Sequence, residues 1–125
     1  MNSFIYFNKR ELGVNGEKAT VDFLIEKGYK ILERNYRTNF GEVDIIAKDK
    51  GYYCFIEVKT RQSINYGAGS EAVVKNKQRT IARVAEHFLA ANHLEDVDVR
   101  FDVVSVFIED DNTDIEIIEN AFDAC

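Results

Sequence analysis

Two strand-forming runs, Glu42 to Lys48 and Tyr52 to Thr60, flank Asp49-Lys50-Gly51, and this arrangement constrains the chain more than any other feature. In Glu42 to Lys48 the residues Val43, Ile45 and Ala47 alternate; in Tyr52 to Thr60 the residues Cys54, Ile56 and Val58 do. A glycine-containing turn between two such runs predicts a β-hairpin. Each run has an apolar face and carries charge on the other, at Glu42 and Asp44 and at Glu57 and Lys59. If the turn is the two residues Lys50-Gly51, Asp44 lies opposite Glu57 and Glu42 opposite Lys59, with Cβ atoms about 5 Å apart. A three-residue loop with a glycine bulge shifts that register.

The rest of the chain reads as elements joined by short turns. Lys9 to Lys27 is a helix by the recurrence of Leu12, Gly16, Ala19 and Phe23, with Gly28 as its stop. Tyr29 to Arg37 reads as a strand turned by Thr38-Asn39-Phe40-Gly41. After a polar loop, Arg61 to Gly69, Ser70 can cap a long helix whose stripe is Val73/Val74, Lys77, Ile81, Val84/Ala85 and Phe88/Leu89. Val97 to Phe107 is a strand, Asp110 to Asp114 an acidic turn and Ile115 to Ile118 a final strand. The expected fold is α/β, in the order α-β-β-β-α-β-β: a mixed sheet covered by helices, with an antiparallel hairpin at its centre. A chain of 125 residues is expected to form one domain, residues 1–125. No apolar stretch is long enough to span a bilayer and no signal peptide is read at the N-terminus, so the cytoplasm is the expected location and no membrane partner is expected. Cys54 and Cys125 form neither a disulfide framework nor a metal pair.

The net charge of −6 is unevenly spread. Residues 1–83 hold 15 Lys and Arg against 10 Asp and Glu, whereas residues 84–125 hold 1 against 12. A basic working face beside an acidic end is compatible with phosphate binding, which depends on local charge. A solvated surface with an acidic end is the plainer alternative.

Opposed carboxylates destabilise a sheet unless something positive sits between them. Mg²⁺ takes few carboxylates, completing its shell with water and phosphate oxygens. A lysine beside it can orient the attacking water and offset developing charge. Asp44, Glu57 and Lys59 thus supply the parts of a metal-dependent phosphodiester hydrolase, against the alternative of a charged outer sheet face with a Glu42–Lys59 pair. Glu17 shares a helix stripe with Val21 and Leu24, which can turn it toward the sheet. Lys77, on an apolar stripe, either snorkels or points at a buried anion. His87 and His93 are expected at the surface. Tyr36, Tyr52, Tyr53 and Tyr66 can stack on bases or simply pack.

Taken together, Gly13-x-x-Gly16-Glu17, Glu33-Arg34-Asn35-Tyr36-Arg37, Gly41-Glu42-Val43-Asp44-Ile45-Ile46-Ala47, Phe55-Ile56-Glu57-Val58-Lys59-Thr60-Arg61, Lys77-Gln78-Arg79 and Val99-Arg100-Phe101-Asp102 resemble the YraN-type family of uncharacterised bacterial proteins. That resemblance implies a restriction-endonuclease-like fold of the PD-(D/E)xK superfamily, similar to Holliday-junction resolvases. The superfamily's usual proline before the aspartate is replaced by Val43. By position the resemblance implies Glu17, Asp44, Glu57 and Lys59 as catalytic residues. Asp44, Glu57 and the Val58 carbonyl would hold Mg²⁺ or Mn²⁺. Arg34, Arg37, Arg61, Lys75, Lys77 and Arg79 are the expected nucleic-acid contacts. The expected activity is metal-dependent endonucleolytic cleavage of DNA, branched or damaged DNA included, with a homodimer as a compatible assembly. The alternative is a non-catalytic nucleic-acid-binding or adaptor module on the same fold.

Overall fold

Lys50 and Gly51 both adopt positive φ, +52° and +88°, which is the signature of a two-residue type I′ turn. They join β2, Gly41–Asp49, to β3, Tyr52–Arg61, and the ladder pairs Asp49 with Tyr52 and Ile45 with Ile56. The computed structural model describes residues 9–61, 73–109 and 112–123, with backbone alone for 9–15. Tyr66 and Ser70 lie outside the described residues.

The helix α1, Lys9–Glu26, leads into β1, Lys30–Thr38, which runs antiparallel to β2. The helix α2, Lys75–Ala91, carries the chain back across the sheet, so β4, Asp98–Glu109, lies parallel to β3 along its whole length. The edge strand β5, Asn112–Ile118, returns antiparallel to β4. The order across the sheet is β1-β2-β3-β4-β5, and the expected sequence of elements holds throughout. No helix among the described residues is long and apolar enough to cross a membrane.

Both faces of the sheet are covered, and β2 and β3 are apolar on both sides for that reason. Leu24 of α1 packs with Tyr29, Ile45, Ala47, Cys54, Ile56, Val104 and Val106. Ile81, Val84, Ala85 and Phe88 of α2 pack with Val43, Ile46, Phe55, Phe101 and Val103. Gly16 makes the α1 crossing possible, because a Cβ there would overlap the Thr60 side chain on β3. Burial pushes the Cys54 thiol up to about 12, with the nearby Asp102 charge adding to it, so this cysteine is a core residue and not a nucleophile.

Several expectations are corrected. The charged face of the hairpin is not an outer face, since Phe55 on it lies fully buried in the α2 layer. Val43 joins that layer instead of Ile45 and Ala47; alternation is lost at Asp44, which lies in the ladder opposite Asn35, whose φ is +52°. Helix α2 begins at Lys75, later than a Ser70 cap implies: Val74 occupies the cap position with extended backbone and no side-chain cap. The last strand starts at Asn112, three residues before the expected Ile115, while Asp110 and Asp111 lie outside the described residues.

Candidate active site

The β2–β3 ladder is paired up to Ile45 and Ile56. One residue further on, Oδ2 of Asp44 accepts the backbone N–H of Val58 at 2.8 Å, so a side chain does what a strand carbonyl does elsewhere in the ladder. The same step brings the Asp44 and Glu57 carboxyl groups into hydrogen-bond contact with each other. Two acids in contact can share a proton but cannot both ionise cheaply. Burial, and then the Asp44 charge, push the Glu57 carboxyl up to about 7, against the pull of Lys77 and Lys59. Burial also raises Asp44, opposed by the Val58 N–H and by Lys77.

Lys59 shares the face of Glu57, two residues along β3, and sits half-buried within electrostatic reach of it. Lys77, on the first turn of α2, points at the buried anion: its Nζ lies 3.9 Å from Oε2 of Glu57. The amine is partly exposed while the Glu57 side chain is only 15% exposed, so the carboxylate carries most of the desolvation. Glu17 arrives from α1 on the other layer. Its carboxyl is raised by burial and by Asp44, and held down by a hydrogen bond from Asn35 and by the Arg34 charge. Glu42 adds to the negative potential at both Glu17 and Asp44.

The Glu42–Lys59 pair does not form. Glu42 lies opposite Arg37 in the β1–β2 ladder, and its Oε1 is 3.5 Å from Arg37 Nε. The β2–β3 ladder ends at Ile45 and Ile56, short of both Glu42 and Lys59. Among the expected phosphate contacts, Arg34 and Arg37 stand exposed on β1, and Lys75 and Arg79 on the start of α2. Arg79 donates to Asn76 Oδ1 at 3.0 Å, and Arg61 lies half-buried at the end of β3. The acidic C-terminal stretch lies away from this rim, since β5 is three strands from β2, about 14 Å at the usual strand spacing.

Among the described residues no three His, Cys, Asp or Glu side chains gather closely enough to enclose a metal ion by themselves. The pair Asp44 and Glu57 nevertheless suits a hard cation that keeps several waters: two neighbouring carboxyl groups, partly open to solvent and reluctant to ionise together. Sequence reasoning missed Asn35 and left Lys77 between snorkelling and a buried anion, of which the structure shows the second. A lone Asn in a strand is a signal for positive φ, and a Lys on a buried stripe for a nearby acid.

A buried ionic cluster at the hairpin end of the sheet was also unforeseen. Arg100 donates to Asp102 and Asp49 at 2.9 Å each and to the Tyr29 hydroxyl at 2.8 Å. It is the sole Lys or Arg of residues 84–125, and it is spent on structure.

Comparison with known proteins adds the family. A UPF0102 protein of Caldicellulosiruptor saccharolyticus is 49% identical over 117 residues, spanning 92% of this chain and 99% of the relative. One of Acetivibrio thermocellus is 49% identical over 121 residues, spanning 92% and 93%. Among solved structures, that of SSO0001 matches 94% of this chain at 19% identity with a TM-score of 0.41. That of Pyrococcus furiosus SfsA in complex with Ca²⁺ matches 91% at 16% identity with a TM-score of 0.38. This chain spans 55% and 63% of those two proteins. The family model described as uncharacterised protein family UPF0102, a YraN-like family, matches residues 16–106, from the glycine at the α1 crossing to the later part of β4. With most of the chain matched by that model and relatives matched nearly end to end, this chain belongs to the uncharacterised protein family UPF0102.

Proposed function

We propose that this chain is a Mg²⁺- or Mn²⁺-dependent nuclease that hydrolyses phosphodiester bonds in DNA, branched or damaged DNA included. One observation carries the reading: the largely buried Asp44 and Glu57 carboxyl groups lie close enough to perturb each other and are flanked by two lysines. Such a pair costs folding energy without a cation and has a use with one.

Asp44 and Glu57 would hold the ion, with the Val58 carbonyl as a third protein ligand. When bound, the cation supplies positive charge to a phosphate oxygen and makes its water more acidic. Asp44 keeps Oδ2 on the Val58 N–H, which fixes the carboxylate that would hold the ion. Lys59 would orient the attacking water and offset charge building on the phosphate. Lys77 would oppose the burial that raises Glu57 and so ease the loss of its proton when the ion binds. Glu17 would hold outer-sphere water, or a proton, from the α1 side. Arg34, Arg37, Arg61, Lys75 and Arg79 would receive the phosphates on either side of the scissile one.

The test is cleavage of linear, flapped and four-way-junction DNA in Mg²⁺ or Mn²⁺, beside gel-shift binding in EDTA. Lys59→Ala should cut roughly a hundredfold more slowly and still bind. A wild-type protein that binds this panel and cuts none of it, with Mn²⁺ affinity unchanged by Lys59→Ala or Asp44→Asn, is the non-catalytic module instead.

A further inference from the structure

Phe40 sits at the tip of the turn between β1 and β2 and leaves 43% of its surface to solvent, more than any other phenylalanine of the described residues. The chain presses this turn onto α2: Gly41 packs so closely on Thr80 that a Cβ would overlap the threonine methyl. That contact sets Phe40 beside the second turn of the helix. The Arg83 guanidinium lies 4.1 Å from the ring centroid, and the His87 ring stands edge-on at 6.4 Å. Tyr36 lies behind His87, at 6.3 Å between ring centres.

Three features separate this patch from ordinary packing. The ring is exposed although the α2 layer, with Phe55, Phe88 and Phe101 in it, lies next door. The guanidinium that covers one side is itself a flat, cationic stacking surface. The patch also leads directly into the strand of the acid pair: Asp44 is four residues from Phe40, about 13 Å of extended chain. That span equals roughly four base steps of a nucleic-acid strand.

We infer that Phe40, backed by Arg83, is a stacking platform for an unpaired nucleobase of the strand held at Asp44 and Glu57. The inference rests on the nucleic-acid reading above and narrows it to a substrate class. A base inside an intact duplex offers no open face, and unstacking it costs free energy that an already unpaired base does not. An aromatic platform therefore favours a flap, a junction arm or a single-stranded end over continuous duplex, with little regard for which base it is.

The protein contains no tryptophan, so Phe40→Trp makes a single-fluorophore probe. In EDTA, with occupancy followed by anisotropy of labelled DNA, a flapped duplex or a single strand should quench the indole emission of this variant. A blunt duplex of the same length, at equal occupancy, should leave it unchanged. A second probe, Ile25→Trp, on an exposed position of α1, should respond to none of them. Phe40→Ala should weaken binding of the flapped DNA by roughly five- to a hundredfold and leave the blunt duplex unaffected, while Phe40→Tyr keeps the wild-type affinity. Equal quenching by blunt duplex, or a Phe40→Ala protein that binds the flap as wild type does, overturns the platform. If the platform fails in this way while wild-type protein still cuts the panel in Mg²⁺, the nuclease reading stands without it. No binding of any strand by wild type overturns both.

Discussion

Asp44 and Val58 are joined by a hydrogen bond, 2.8 Å from amide nitrogen to Oδ2, at the point where two strands stop pairing. The bond fixes the carboxylate where the ladder ends, within electrostatic reach of the Glu57 carboxyl. A structural bond and an awkward electrostatic pair thus share one side chain.

Replacing Asp44 by Asn separates the two. The amide oxygen can still accept the Val58 N–H, and the contact with Glu57 no longer sets acid against acid. Metal-free Asp44→Asn should therefore unfold at higher urea than wild type at neutral pH, by on the order of 1 kcal/mol. Mn²⁺ binding, read by calorimetry, should weaken at least tenfold. A loss of stability in EDTA would show that the carboxylate is held for structural reasons.

The raised Glu57 fixes the direction of a pH effect. Its folded value is about 7 against an ordinary 4.5, so between these values the native state holds a proton that the unfolded chain has released. Stability of the metal-free protein should fall as pH rises through that window and level off above it, by a few kcal/mol at most. The raised Asp44 acts in the same direction. Glu57→Gln should flatten the profile. Urea midpoints taken across the window decide the matter, and a stability that climbs with pH in wild type but not in Glu57→Gln contradicts it.

At the other end of the sheet, Arg100 compensates two acids that are almost wholly buried, Asp49 and Asp102. Arg100→Leu leaves both without a counter-charge and should cost about 3–5 kcal/mol of folding stability. Adding Asp49→Asn and Asp102→Asn should recover part of that loss. Thermal unfolding of the single and triple variants provides the comparison.

Gly16 offers a test of the α1 crossing. Gly16→Ala overlaps Thr60 and should cost about 1–3 kcal/mol, the usual scale for overpacking. Because Glu17 follows directly, the helix shift should also relax the raised Glu17 carboxyl. Thr60→Gly in the same chain should restore most of the stability. Calorimetric melting of the three proteins measures the cost, and carboxyl titration by NMR measures the change at Glu17.

Much of this was legible in the chain because β2 and β3 meet through a turn whose residues announce its length. Once Lys50 and Gly51 take positive φ, counting outward brings Asp44 to Glu57. What counting could not supply was the end of the ladder at Ile45 and Ile56, where the Asp44 carboxylate takes the Val58 N–H in place of a strand carbonyl; the same counting wrongly joined Glu42 to Lys59. The second covered face escaped notice because Phe55 and Glu57 share it, and charge at one position masked burial at the other. The Arg100 cluster was invisible for a related reason: its partners lie 51 residues away at Asp49 and 71 at Tyr29, and only the parallel pairing of β3 with β4 unites them.

The turn also works as a ruler. Asp44 and Glu57 each stand six residues from it, so their meeting depends on a count and on the parity of that count. Insertion of a single residue after Gly51 would either slide β3 by one place, turning Glu57 and Lys59 toward the α1 layer, or bulge the turn outward against the hold of Arg100 on Asp49. Loops elsewhere in this chain can drift in length over generations at small cost, but this one has a fixed measure. A hairpin of this kind can therefore be lengthened only in pairs of residues, and its tip is the place where a library of insertions should show an even–odd rhythm in function.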